Sequence, residues 1–316
     1  MSNGNEVHVV LGATGGIGSA LIEELVRRGH RVRAVSRSGG APEGAEDIKA
    51  DVATRKGAKA AVEDASVIYH AAQPAYTRWP EEFPPMTDAV IEDAAAAGAK
   101  LVFADNLYMY GPGSPQPMTE QTPQRATGRK GRTRILMAEK LLTAHRSGKL
   151  RVAIGRSSDY YGPHGKSSVA GEQVFRAALK GKKARWPGSL EVSHTLNYRP
   201  DMARAFVTLG EREEANGEVW HLPAAEPLTG RYFLEMVFAQ AGRPARVGVI
   251  SKNMVRLGGV FSPFIREFGE TLYQFEKPFV SEATKYQRAF GPFKPTAHEE
   301  AIAHSVAWFR RREEST

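Results

Sequence analysis

The residues best suited to chemistry are the glycines of the first turn. Residues 7–18 read VHVVLGATGGIG, an apolar run followed by a glycine-rich segment, and an amphipathic stretch continues to Arg28. Glycines let the backbone turn tightly and approach a phosphate, and a following helix N-terminus offers free N–H groups and the positive end of its dipole. Strand, turn and helix in this order predict a dinucleotide site rather than a turn without a ligand. The residues predicted to hold the diphosphate are Gly12, Thr14, Gly15, Gly16, Ile17 and Gly18.

The end of the second predicted strand carries an arginine and no acid. A carboxylate at that place accepts bonds from the ribose 2′-hydroxyl of NAD, whereas an arginine suits the 2′-phosphate of NADP. Here Ser36, Arg37 and Ser38 follow the strand, so we expect NADP, with NAD as the less favoured cofactor. The alternative is that Arg37 is an ordinary surface arginine.

Two further strand ends bear on the cofactor. A carboxylate after the third strand can bond the adenine amino group, although Asp51 is nearly as well suited to capping the next helix. Small residues after the fourth strand let the backbone lie against the cofactor ribose, while His70 is expected to be packed rather than a base. The residues predicted to contact adenine and ribose are Asp51, Val52, Ala71, Ala72 and Gln73.

These strand ends can form one site only if their strands lie in the same sheet. The first half of the chain predicts such a sheet. Apolar runs alternate with helical patterns, and this alternation predicts an α/β fold: a Rossmann, doubly wound parallel sheet with helices on both faces. The predicted strands are Val7–Leu11, Arg31–Val35, Ile48–Ala50, Val67–Ala71, Leu101–Ala104 and Leu150–Ile154. The predicted helices are Ser19–Arg28, Arg55–Glu63, Thr87–Ala97 and Thr133–Arg146. Ligands of such sheets bind at the carboxyl ends of the strands.

The second half is less regular. We predict a cofactor-binding Rossmann domain over residues 1–156, with a return of the chain around 190–215, and a smaller, mainly substrate-binding lobe over 157–316. Helices are expected at Arg231–Gly242 and Thr296–Arg312. The apolar, aromatic stretch 253–275 is expected to be a helix packed on the core, with a pocket wall or a lipid surface as the alternatives.

The composition limits the classes of function. The 316 residues are 41% hydrophobic and include no cysteine, which excludes disulfides and thiolate metal sites, and no histidine pair has ligand spacing, so no metal site is expected. No apolar run approaches the roughly 20 residues of a membrane span, and a polar N-terminus favours the cytoplasm. The formal charge of +8 is scattered apart from Arg125–Arg134. We therefore expect neither nucleic acid nor membrane as a partner.

The order of several short motifs resembles the extended short-chain dehydrogenase/reductase superfamily, of the NAD-dependent epimerase/dehydratase type. The motifs are Gly12–Gly18, Asp51-Val52, His70-Ala71-Ala72, Tyr110-Gly111-Pro112, Tyr161-Gly162-Pro163, Tyr198-Arg199-Pro200-Asp201 and Gly217-Glu218-Val219-Trp220-His221-Leu222. The resemblance covers nearly the whole chain. It implies a nicotinamide dinucleotide cofactor and hydride transfer, and relatives often form homodimers through the helices corresponding to Thr87–Ala97 and Thr133–Arg146.

The catalytic centre departs from the family pattern. Family enzymes carry a serine or threonine near the end of the fifth strand and a Tyr-x-x-x-Lys on the next helix, where the tyrosine is the general acid/base. Here Asn106 stands at the serine or threonine position, and the tyrosine and lysine positions fall on Gly131 and Ile135. No tyrosine occurs between residues 111 and 158. The chain's one Tyr-x-x-x-Lys sequence, Tyr273 to Lys277, lies far downstream of the predicted helix.

Five residues are candidates to replace the missing groups, each with a structural role as the alternative. An asparagine amide can polarise a carbonyl, a tyrosine can donate a proton, a buried aspartate can be a base, and a lysine can take the part of the family's lysine if the helix begins early. The candidates are Asn106, Tyr108, Tyr160, Asp105 and Lys130. The aromatic and basic loop Gln73–Pro80 overhangs the same strand ends and suits a planar or anionic small-molecule substrate.

Three functions are consistent with these residues. The first is an NADP-dependent oxidoreductase that moves a hydride between the nicotinamide and a small carbonyl or hydroxyl compound with a non-standard proton donor. The second is a sensor that binds NADP(H) without turnover. The third is a sugar-nucleotide epimerase or dehydratase, which depends most on the missing tyrosine.

Overall fold

The computed structural model describes residues 6–165 and 168–314, and within these ranges thirteen strands and eleven α-helices are formed. The strands are β1 (Val7–Leu11), β2 (Arg31–Ser36), β3 (Glu46–Lys49), β4 (Val67–His70), β5 (Lys100–Asp105), β6 (Arg151–Arg156), β7 (Asp159–Tyr161), β8 (Ala184–Pro187), β9 (Ser193–His194), β10 (Leu196–Tyr198), β11 (Glu218–His221), β12 (Leu228–Thr229) and β13 (Val247–Ile250). The helices are α1 (Gly16–Arg27), α2 (Arg55–Val62), α3 (Trp79–Ala96), α4 (Arg129–Arg146), α5 (Glu172–Leu179), α6 (Arg199–Glu211), α7 (Gly230–Gln240), α8 (Lys252–Phe261), α9 (Pro263–Gly269), α10 (Thr284–Phe290) and α11 (His298–Glu314).

Seven strands form the central sheet in the order β11-β6-β5-β4-β1-β2-β3. All six neighbouring pairs run parallel, and Leu11 at the end of β1 lies between Val35 on β2 and His70 on β4. The strand order reverses between β1 and β4, which opens a crevice at their carboxyl ends. The α/β Rossmann fold expected from the sequence is confirmed.

Each face of the sheet is buried by helices. In β1, Val9 and Leu11 pack with residues of α2, α3 and α4, whereas Val10 packs with α1 and α6 on the opposite face. Successive residues of a strand point to opposite faces, so a sheet covered on both sides needs continuous apolar strands. This is why β1 reads as an unbroken apolar run apart from His8.

Two helices begin at least one full turn earlier than the sequence pattern predicts. α3 begins at Trp79 rather than Thr87 and contains Pro84 and Pro85. Prolines lack the N–H that an α-helix needs, but burial of Trp79 and Phe83 holds this first part of the helix in place. α4 begins at Arg129, one turn before the predicted start, with Gly128 at its N-cap.

The second half of the chain adds α5, α7 and α11 around three strand pairs, β7–β10, β9–β12 and β8–β13. The chain also returns to the central sheet, where α6 packs against α1 and β11 extends the sheet beside β6. The boundary at residue 156 stays a prediction. Within the described ranges, no helix has the length and hydropathy of a membrane span.

Candidate active site

The first turn of the chain closes tightly against the end of β4. Gly12 has φ +88°, and a Cβ there would lie 2.7 Å from the Cα of Ala72. Only glycine fits such an approach without strain. No side chain caps the N-terminus of α1 and no acid stands in its first turn, so its N–H groups and the positive end of its dipole are left for a ligand.

A buried guanidinium lies behind this turn. Arg199, the first residue of α6, donates from Nη1 to the Gly162 carbonyl oxygen at 2.8 Å, and its Nε has no partner among the described residues. A Cβ on Gly16 would lie 2.7 Å from that Nε. Burial lowers the pKa of Arg199 to about 10, so the group stays charged at neutral pH. The turn presents backbone N–H groups with no side chain in the way, and the buried Arg199 charge lies behind it. This arrangement fits the pyrophosphate of a nicotinamide dinucleotide.

One cavity of about 1540 Å³ follows the carboxyl ends of the central strands. The residues predicted to bind the cofactor that line it are Gly12, Thr14, Gly15, Gly16, Ile17, Ser36, Arg37, Asp51, Val52, Ala71, Ala72 and Gln73. Gly18 is buried beneath the turn, where a Cβ would meet the Gly12 carbonyl oxygen, and the Ser38 hydroxyl bonds the Gly39 carbonyl oxygen at 3.2 Å. Twelve of the fourteen predicted cofactor residues thus lie on one continuous surface.

The carboxylate of Asp51 does not cap α2. Thr54 is the N-cap and accepts a bond from the Gly57 N–H, while Asp51 Oδ1 accepts one from the Ala53 N–H at 3.0 Å. Its second oxygen is left for a ligand at the cavity wall. His70 is packed beneath the same wall, and burial lowers its pKa to about 3, with the Arg134 charge as a second cause.

Asn106 and Tyr108 lie where β5 ends and line the same cavity. The Asn106 Oδ1 accepts from the Tyr108 N–H at 3.0 Å, which leaves the amide Nδ2 as the donor toward a ligand. The Tyr108 ring stacks on Trp79 at 6.1 Å. Burial raises the pKa of Tyr108 well above its usual value, so this tyrosine keeps its proton and acts as a hydrogen-bond donor rather than as a base.

Asp105 lines the cavity but is held between two buried arginines. Its Oδ2 accepts from Arg156 Nε at 3.0 Å, and its Oδ1 lies 3.4 Å from Arg134 Nη1. Arg156 also donates to the Tyr110 hydroxyl at 3.1 Å, and that hydroxyl lies 2.6 Å from His221 Nε2. A carboxylate engaged by two guanidinium groups is better suited to positioning Arg134 than to taking a proton.

The structure places Arg134 on the cavity side of α4. A Cβ on Gly131 would instead meet the Tyr108 carbonyl oxygen at 2.7 Å, and Ile135 packs against an apolar cluster that includes Leu107. Of the described residues of α4, Arg134 lines the cavity, whereas Gly131 and Ile135 do not. Lys130 is buried away from the cavity lining, where its Nζ bonds the Tyr76 carbonyl oxygen and lies 2.8 Å from Glu267.

A carboxylate and an imidazole that the sequence analysis did not single out meet in the cavity wall. Asp159 Oδ2 lies 2.9 Å from His194 Nε2, and His194 Nδ1 lies 3.1 Å from the Gln274 carbonyl oxygen. A carbonyl only accepts, so Nδ1 carries a hydrogen, and the contact between Nε2 and the carboxylate needs a second proton. Asp159 lines the cavity, whereas His194 is buried behind it against the ring of Phe275.

Tyrosine side chains surround this pair. Burial raises the pKa of Tyr76 to about 12 and raises that of Tyr160, and the Asp159 charge raises both further. The Tyr160 ring lies 4.9 Å from the Arg199 guanidinium, whose charge partly offsets the increase. These hydroxyls keep their protons at neutral pH. The described residues include no cluster of three potential metal ligands.

The sequence of residues 8–222 matches the model of the NAD-dependent epimerase/dehydratase family. Because the match spans more than half of the chain, the protein belongs to that family. No protein of curated function matches the chain in sequence.

Solved structures share the fold at low sequence identity. An epimerase from Methanothermobacter thermautotrophicus superposes with a TM-score of 0.83 at 16% identity over 98% of this chain and 94% of that one. A dTDP-glucose 4,6-dehydratase from Bacillus anthracis, in complex with NAD, gives 0.80 at 17% identity over 98% of both chains. A UDP-N-acetylglucosamine 4-epimerase from Bacillus cereus gives 0.78 at 14% identity over 96% of both. At these identities the similarity shows the fold alone.

Proposed function

We propose that the protein is an NADP-dependent oxidoreductase that interconverts a small carbonyl compound and its alcohol, with a proton donor other than the family's tyrosine. The supporting observation is the single cavity that joins the glycine turn and Arg37 to Asn106, Arg134 and Asp159. When bound, the nicotinamide supplies or accepts the hydride. The family's description names NAD, and the preference for NADP rests on Arg37 and on the absence of an acid among residues 36–40.

We refer to the part of the cavity lined by Asn106, Arg134 and Asp159 as the reacting half. Its polar groups have separate roles in this proposal. The Nδ2 of Asn106 donates a hydrogen bond to the substrate oxygen, and the Arg134 guanidinium stabilises negative charge that develops on it. Asp159 gives or takes the proton that it shares with His194, and His194 is the positioning residue. Tyr108 and Tyr160 hold the substrate as hydrogen-bond donors.

A sugar-nucleotide epimerase or dehydratase is the second candidate. The names of two structural relatives support it, and so does Arg185, which lines the same cavity and suits a second diphosphate. If the protein reduces no carbonyl compound, the remaining candidate is a sensor that binds NADP(H) without turnover. Cytoplasmic location and homodimerisation through α3 and α4 stay predictions.

The first test is a fluorescence titration with NADPH and with NADH. We expect Arg37→Ala to weaken NADPH roughly 10- to 100-fold, because a charge-assisted bond to the 2′-phosphate is lost, and to change NADH little. Arg31→Ala, an exposed arginine at the other end of β2, is the matched control. Equal losses for both nucleotides, or tighter binding of NADH by the wild type, would contradict the NADP preference. If neither nucleotide binds, the oxidoreductase proposal fails.

A further inference from the structure

The stretch 253–275, predicted as a helix packed on the core, packs there in part through Phe268 and Phe275. The outer face of α8 and α9, by contrast, is apolar and exposed. Five large apolar side chains project from eleven consecutive residues. Their exposed fractions are Met254 51%, Leu257 68%, Val260 73%, Phe261 84% and Phe264 57%. Single exposed apolar residues are ordinary, but a contiguous group on one helix pair marks an interaction site. We refer to these five residues as the α8–α9 surface.

Basic residues dominate the segments around this surface. Residues 243–266 contain five basic residues and no acid, and the neighbouring segment 180–186 contains four basic residues and no acid. β13 pairs with β8, with Val247 opposite Ala184, so the two basic segments lie side by side. The exposed basic residues are Lys182, Lys183, Arg185, Arg243, Arg246, Lys252, Arg256 and Arg266.

The nearest acids on the chain are turned toward the protein. Glu267 lies 2.9 Å from Arg129 and 2.8 Å from Lys130, and Glu270 accepts from the Lys130 N–H at 2.6 Å. Lys252 lies 3.5 Å from Glu276, a long contact at the edge of the surface. The acids therefore do little to offset the basic residues that face solvent.

We propose that the α8–α9 surface docks onto an anionic phospholipid bilayer. A short amphipathic helix pair with exposed leucine and phenylalanine can bury those side chains at the level of the lipid headgroups, and surrounding lysines and arginines attract the negative lipids. The contact is peripheral and needs no spanning helix. It replaces the expectation that the protein has no membrane partner, and it does not depend on the reaction proposed above.

The docked surface adjoins the cavity. Met254 and Phe264 also line the cavity wall, and the Tyr76 ring lies 5.6 Å from that of Phe264. Docking thus brings the outer wall of the reacting half to the bilayer.

The test is co-sedimentation of the full chain with sucrose-loaded vesicles. We expect binding to phosphatidylcholine vesicles with about 30% phosphatidylserine at about 0.1 M salt, weaker binding at about 0.5 M salt, and little binding to phosphatidylcholine alone. Leu257→Ser combined with Phe261→Ser should lower the partition coefficient at least about tenfold, since two apolar side chains no longer enter the lipid. Arg256→Glu should lower it roughly tenfold.

Two matched controls separate the surface from general effects. Leu136→Ser removes an exposed apolar side chain of α4, and Arg310→Glu makes the same charge change on α11. Both should bind vesicles like the wild type, and circular dichroism checks that every variant is folded. Failure of the wild type to bind anionic vesicles overturns the proposal, as does equal loss in Arg256→Glu and Arg310→Glu. So does an ultracentrifuge result in which the serine pair only splits a dimer, because a second copy then covers the surface.

Discussion

The proton between Asp159 and His194 can lie on either side chain. The backbone carbonyl of Gln274 can only accept, so His194 Nδ1 donates to it, and a hydrogen bond between His194 Nε2 and the Asp159 carboxyl group needs a further hydrogen on one of the two side chains. The pair therefore carries a proton at the cavity wall in either form. This pair is the proton donor that we propose, and α4 contains no tyrosine.

We expect Asp159→Asn to lower kcat for a reducible carbonyl compound by about 10²- to 10⁴-fold, because an amide cannot release or accept the proton. The Kd for NADPH should change little, since Asp159 lies in the reacting half. NADPH oxidation over a range of pH measures both the rate and its dependence on protonation.

Asp51→Asn is the matched control, a second cavity carboxylate at the cofactor end. It should alter nucleotide affinity and leave the pH profile of kcat in place. If Asp159→Asn lowers the rate by the same factor at every pH, the carboxylate has only a structural role.

At the scale of elements, strand register explains why this pair was not visible in the sequence. Asp159 and His194 are far apart in the chain, and they meet because β7 pairs with β10, with Asp159 opposite Leu196. Nothing in the composition of either segment specifies that pairing. The glycine turn, by contrast, could be predicted because its strand, turn and helix are consecutive residues.

The helices, too, include features that the sequence predicts and features that it does not. The βαβ alternation predicted the parallel sheet, since apolar periodicity is a local property of the chain. The start of α3 was missed because Pro84 and Pro85 argue against a helix locally, and burial of Trp79 and Phe83 outweighs them. The exposed side of α8 was missed because an apolar sequence does not say which neighbours will cover it.

Two effects make Gly12 necessary in the turn between β1 and α1: the strain of a positive φ, and the close approach of the Ala72 backbone. A pair of variants separates them. Gly12 and Gly291 have nearly equal φ, +88° and +89°, but only Gly12 faces another backbone segment. Alanine at either position should cost about 1–3 kcal/mol in the free energy of unfolding through backbone strain. Gly12→Ala should cost more and weaken NADPH binding at least about tenfold, because the turn must move away from Ala72.

Urea denaturation and nucleotide titration of the two variants measure these effects. Normal NADPH affinity in Gly12→Ala would show that the turn does not hold the phosphates.

At the scale of the whole molecule, three buried histidines of the central sheet make stability depend on pH. Burial is the main cause in each case: it lowers the pKa of His8 to about 4, with His30 contributing, and those of His70 and His221 to about 3. In the unfolded chain the pKa of histidine is about 6.5. Between these values the unfolded chain binds protons that the folded chain does not.

The free energy of unfolding should therefore be highest above about pH 6.5 and should fall toward pH 4, by up to about 1.4 kcal/mol per pH unit for each histidine. Urea denaturation between about pH 7.5 and about pH 5 measures this slope. His70→Leu, which replaces a ring whose nitrogens have no partner among the described residues, should reduce the slope by up to about 1.4 kcal/mol per pH unit. An unchanged slope would mean that folding does not lower the pKa of His70.

The trio of Arg134, Asp105 and Arg156 holds two positive charges against one negative charge. One positive charge is thus left over beneath the reacting half, and within the described part of the chain the Arg134 Nε has no partner for it. An anion lodged in the cavity neutralises that charge, whereas a neutral ligand leaves it in place. We therefore expect chloride and buffer anions to compete with ligands for this part of the cavity, so that affinities measured there depend on the counter-ion.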